Sequence, residues 1–107
     1  MVSDAFSRLG RDRLIGNQYT TTGKYSKLKA KILSGTADSN VEFRELCRFL
    51  IRLGFEERVR GDHHIFVKDN ITEIINLQPN GSKAKPYQVK QVRSILITYI
   101  LGDADVD

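Results

Sequence analysis

The chain is poor in the residues that several large function classes depend on. Among 107 residues there is one cysteine, Cys47, with two prolines, two histidines and no tryptophan. A lone cysteine excludes an internal disulfide framework and fits a reducing compartment, so the expected location is cytoplasmic. One Cys and two adjacent His cannot supply the four tetrahedral ligands of a structural zinc, and we expect no cofactor. No apolar run approaches the length of a membrane span, and the amino end lacks the apolar core of a secretory signal. With 40% apolar and 28% charged residues, the expectation is one soluble domain with a modest core.

The second scarcity is of acid. From Ile74 to Gly102 there is not one Asp or Glu, while Lys83, Lys85, Lys90 and Arg93 all lie there. Three aspartates then follow in Gly102–Asp107, and the net charge is +4. A basic stretch of this kind raises the local concentration of a polyanion. A solvated helix face has the same composition, so the run needs a partner feature before it means a site.

Residues 1–23 are polar and turn-prone and read as a flexible arm. Residues 24–101 read as the folded domain and 102–107 as an acidic tail. Over Lys24–Ser34, Tyr25, Leu28 and Ile32 recur at helical spacing, with Gly35 placed to stop the helix in a left-handed cap. Ser39 and Glu42 have the spacing of a capping box. Behind them Phe43, Leu46, Cys47, Leu50 and Leu53 form an apolar stripe that Gly54 ends. Cys47 on that stripe reads as a buried, inert thiol.

Phe55–Arg60 and His64–Lys68 read as a hairpin. A three-residue loop, Gly61-Asp62-His63, pairs Val59 with Ile65 and Arg58 with Phe66, which separates the faces better than a two-residue loop does. On that register Phe66 shares a face with Arg58 and is a candidate for base stacking. A third strand, Ile71–Gln78, puts Ile71, Ile75 and Leu77 on one face. Pro79–Ser82 is a loop signal, and Pro86 suits the first turn of a helix over Tyr87–Leu101. That helix carries Val89, Val92, Leu96, Tyr99 and Ile100 on one side and Gln88, Lys90, Gln91 and Arg93 on the other. Burying one face of a three-stranded antiparallel sheet under helices gives a two-layer α+β domain.

The chemistry centres on Gly61-Asp62-His63-His64-Ile65-Phe66, which holds both histidines. An imidazole exposed at a hairpin turn can take and give protons near neutral pH. Arg58 and Arg60 on the neighbouring strand, and Lys83 and Lys85 on the later loop, could hold phosphate. RNA carries its own nucleophile, the 2′-hydroxyl, so a base and an acid at the phosphate can cleave it without a metal. Asp62, Asp69 and Glu73 could in principle collect Mg²⁺, but two lie in different turns and one in a strand, and no metal site is expected. Tyr87 and Tyr99 read as core or helix-edge residues. Three readings stay open: an endoribonuclease, a non-catalytic RNA-binding module, and an interaction domain whose basic face meets an acidic protein.

The run Leu53-Gly54-Phe55-Glu56-Glu57-Arg58-Val59-Arg60-Gly61-Asp62-His63-His64-Ile65-Phe66 resembles the signature of HicA-type toxins, small mRNA interferases of bacterial toxin–antitoxin pairs. Asn76-Leu77-Gln78-Pro79, continuing through Lys83-Ala84-Lys85-Pro86-Tyr87-Gln88-Val89, is similar to a longer subgroup of that family. The resemblance spans Lys24 to Leu101. It implies a fold like that of a double-stranded-RNA-binding domain, in α-β-β-β-α order with an extra N-terminal helix. It also implies endonucleolytic mRNA cleavage that blocks translation, and neutralisation by a HicB-type antitoxin. The family's catalytic histidine follows a Gly-Ser pair, which places it on His63. Arg58, Arg60, His64, Lys83 and Lys85 are then the expected substrate contacts. Asp62 departs from the usual serine; it can orient the imidazole, or repel RNA phosphate and weaken activity.

Overall fold

In a computed structural model of the protein, residues 23–101 are described. The arm read over 1–23, its last residue apart, and the acidic tail over 102–107 lie outside them. Helix α1 spans Lys24–Ser34 and stops at Gly35, whose φ of 70° is the left-handed cap its sequence suggested. A single 3₁₀ turn, Asp38–Asn40, leads to α2, Phe43–Arg52. Three strands follow, β1 (Glu56–Arg60), β2 (His63–Lys68) and β3 (Ile71–Leu77), paired antiparallel in the order β1-β2-β3. A small hairpin, β4 (Pro79–Asn80) with β5 (Lys83–Ala84), precedes α3, Pro86–Tyr99. This is a two-layer α+β fold in α-β-β-β-α order, like a double-stranded-RNA-binding domain with one added helix.

One face of the sheet makes the core. Phe66, Ile75 and Leu77 are fully buried there, against Phe43, Leu46, Phe49 and Leu50 of α2 and Val89, Val92, Ile95 and Leu96 of α3. Alternation along β2 therefore sends Phe66 inward and leaves His63 and Ile65 on the opposite, open face. Phe66 stacks no base; the face shared with Arg58 is the other one. Phe49, outside the apolar stripe read from sequence, is buried because Tyr25 of α1 stacks on it with ring centroids 6.4 Å apart.

The hairpin register differs from the one expected. Arg58 pairs with Ile65, Val59 with His64 and Arg60 with His63, so the loop is the two residues Gly61-Asp62 and His63 begins the strand. Gly61 has φ 60°, the positive value a two-residue loop of the II′ class needs at its first central position. The mixed face that this register creates is tolerated for two reasons. His64 donates from Nδ1 to the Glu57 carboxylate at 2.7 Å, satisfying both polar groups. Val59 lies on the edge strand and stays 55% exposed.

Two other expectations fail locally. Ser39 and Glu42 make no capping box: Ser39 belongs to the 3₁₀ turn, and Glu42 is the N-cap residue without a side-chain cap. The β4–β5 hairpin replaces it. Ser82 O accepts from Phe43 N–H at 2.9 Å, and Lys83 Nζ holds the Glu42 carboxylate at 2.5 Å. Helix α3 ends at Tyr99, with Ile100 in the left-handed conformation and 70% exposed. Its polar side is also partly structural. Gln88 is buried, its Oε1 accepting from Lys85 N–H.

Arg93, read as part of a solvated basic face, is a clasp. Its guanidinium donates to both oxygens of Asp38 at 2.9 and 3.0 Å and to Ile32 O at 2.9 Å, joining α3 to the 3₁₀ turn and the end of α1. These bonds hold the Asp38 carboxyl below its ordinary value. A carboxyl depressed on folding contributes stability that is complete above its unfolded pKa and is lost as pH falls through the folded one. Thermal unfolding followed from neutral pH into the acid range should therefore show a smaller fall in Tm for Asp38→Asn than for the wild type. Parallel acid profiles would show that the clasp carries no pH dependence.

Candidate active site

The II′-type turn sets the site. Because Gly61 takes the positive φ, the chain reverses within two residues, and His63 is placed as the first paired residue of β2. Its side chain stands on the open face, 47% exposed. Arg60 is its direct cross-strand partner, and Arg58 lies two residues along on the same face. The shorter loop thus brings both arginines to the side of the sheet that His63 occupies. Arg58 is also within 3.6 Å of the Glu56 carboxylate, an exposed pair worth little energetically.

Across the other edge of β2, Asn76 of β3 fixes the ring. His63 Nδ1 and Asn76 Oδ1 are 3.2 Å apart. Asn76 Oδ1 is an acceptor, so Nδ1 donates this bond, and in the neutral ring Nε2 then presents its lone pair outward. Asp62 Oδ1 stands 3.9 Å from Nε2, beyond a hydrogen bond, and the Asp62 carboxylate is itself held by Gln78 Nε2 at 3.2 and 3.3 Å. Sequence reasoning missed Asn76. Its only signal was a polar residue at an outward position of a strand, which solvent exposure explains equally well.

The remaining expected contacts lie elsewhere. His64 points to the helix side, bonded to Glu57 and edge-on to Phe43 with centroids 4.9 Å apart. Lys83 is engaged by Glu42 and by Asn40 Oδ1 at 2.9 Å. Lys85 is the N-cap residue of α3 and half-buried. Two cations of the acid-free run, Lys83 and Arg93, are thus neutralised by Glu42 and Asp38, acids from earlier in the chain.

One cluster among the described residues has metal-ligand chemistry: Cys47 Sγ, a Glu57 carboxylate oxygen and a ring nitrogen of His64 lie within 4.8 Å of one another. Burial and the neighbouring Glu57 charge push the Cys47 thiol up to about 12, so it is protonated and already packed in the core. Asp62, Asp69 and Glu73 do not converge. Asp62 and Asp69 flank opposite ends of β2, and Glu73 accepts from the Tyr99 hydroxyl at 2.6 Å.

Beside His63, on the side away from Arg60, a cleft runs between β3 and α3. Ile74, Asn76 and Gln78 line it from one side and Tyr87 and Gln91 from the other. Tyr87 is 63% exposed rather than part of the core.

No helix among the described residues is long and apolar enough to cross a membrane. No curated protein and no solved structure matches the chain. The family model for the HicA toxin of bacterial toxin–antitoxin systems matches residues 43–98, more than half of the sequence, leaving α1 outside. That span opens on the first residue of α2 and closes one short of the end of α3, taking in the whole sheet and the histidine turn. The chain belongs to the HicA toxin family of bacterial toxin–antitoxin systems.

Proposed function

We propose that this toxin is a metal-independent endoribonuclease that cleaves mRNA in the cytoplasm, with His63 as its proton-transfer residue. The observation that carries the reading is the His63 ring: exposed on the open face, held through Nδ1 by Asn76, and paired across the strand with Arg60. In this mechanism Nε2 takes the proton of a ribose 2′-hydroxyl, whose oxygen attacks the adjacent phosphorus. The bond from phosphorus to the 5′-oxygen breaks, and the leaving oxygen is protonated by solvent. Arg58 and Arg60 offset the charge that builds on the phosphate oxygens. A cognate HicB-type antitoxin, by the family relationship, neutralises the activity; covering the open face would suffice.

Products distinguish this from water-mediated hydrolysis. Attack by the 2′-hydroxyl leaves a 2′,3′-cyclic phosphate and a 5′-hydroxyl end. Mass spectrometry of oligoribonucleotide fragments, produced in excess EDTA, should show those ends. A 3′-hydroxyl with a 5′-phosphate, or loss of cleavage on chelation, would overturn the mechanism. Binding without any cleavage would leave the non-catalytic RNA-binding reading in its place.

A further inference from the structure

The two flanks of His63 differ in chemistry. On the β1 side stand Arg58 and Arg60, suited to phosphate. On the α3 side is the cleft of about 400 Å³, a size in the range of small-ligand pockets. None of the cleft's other five residues carries a charge. Ile74 and Tyr87 expose large apolar surfaces, 60% and 63% of their area. Asn76, Gln78 and Gln91 add three carboxamides, each able to donate and to accept.

Those carboxamides are only half used among the described residues. Asn76 Oδ1 is engaged by His63, leaving its N–H groups. Gln78 Nε2 donates to Asp62, and Gln91 Nε2 reaches Ile74 O at 3.5 Å, which leaves both side-chain carbonyls. An apolar ring surface, one donor group and two acceptors beside a proton-transfer residue match a flat heteroaromatic molecule with polar edges. A nucleotide has the same asymmetry as the site, with a charged phosphate on one side of the ribose and an aromatic base on the other.

We infer that this cleft receives one unstacked base of single-stranded RNA, stacked on Tyr87 and read by Asn76, Gln78 and Gln91, while its phosphate lies toward Arg58 and Arg60. The inference deepens the nuclease reading and rests on it. It also restricts the substrate. A base held in a duplex cannot reach a cleft beside the sheet, so the protein selects unpaired RNA although its fold is that of duplex-binding domains.

Fluorescein-labelled oligoribonucleotides with a single abasic nucleotide, scanned through each position, test this by anisotropy with His63→Ala protein. One position should matter, weakening binding by roughly 5- to 100-fold when its base is removed. Adding Tyr87→Ala should erase that discrimination, and Tyr87→Phe should keep it. With wild-type protein, a complementary strand across the cleaved position should suppress cleavage. Equal binding at every abasic position, discrimination that survives Tyr87→Ala, or a duplex cut as fast as the single strand would each overturn the proposal. The first two outcomes would leave the cleft to a protein partner. Base discrimination without wild-type cleavage sinks the nuclease reading alone, and cleavage without base discrimination sinks the cleft alone.

Discussion

Replacing His63 by alanine should lower RNA cleavage by roughly 10²- to 10⁴-fold, the usual worth of a positioned general acid or base. The fold should not suffer. The ring is half-exposed on the open face, and surface substitutions of that kind change stability by about 0.5 kcal/mol or less. A circular dichroism melt close to that of the wild type, with cleavage lost, is therefore the expected pair of results. In cells, expression of the natural chain should arrest growth and expression of His63→Ala should not. If purified His63→Ala cuts RNA at the wild-type rate, the assignment of the proton-transfer step is wrong. The same comparison separates an enzyme from a binding module, since a module's effect on growth would survive the substitution.

The second large effect is on stability. Phe66→Ala should cost about 3–5 kcal/mol, because the ring is fully buried against α2 and its removal leaves a cavity the rigid sheet cannot close. A domain of this size has only about 5–15 kcal/mol to lose, so urea unfolding should begin at much lower concentration. Ile65→Ala, one residue away on the open face, should be far milder. Equal losses at the two positions would contradict the inward direction of Phe66.

These two residues show what could be read from the chain and what could not. A strand over His64–Lys68, the apolar stripe that opens at Phe43 and the stop at Gly35 are local patterns, and the fold follows them, though the strand starts one residue earlier and turns Phe66 away from Arg58. The loop length was not local. The parity argument preferred separated faces, and it failed because Glu57 and His64 satisfy each other on the mixed face, at 2.7 Å. The capping box failed for a similar reason. Glu42 is drawn to Lys83, 41 residues away, and the first amide of α2 bonds to Ser82. The acid-free run looked like one basic face until Asp38 and Glu42 were seen to neutralise half of it. Asn76 and Tyr87 carried no signal beyond being polar or aromatic; only the strand pairing and the approach of α3 to β3 bring them beside His63.

The bond from Phe43 N–H to Ser82 O has a consequence for biosynthesis. A chain emerging from the ribosome makes α2 early, yet that helix waits for its amino-terminal acceptor until the β4–β5 hairpin has been translated. Prematurely terminated products that stop after β3 would hold His63 and both arginines on a sheet backed by a helix that lacks its amino-terminal acceptor, so a truncated toxin should be an unstable one.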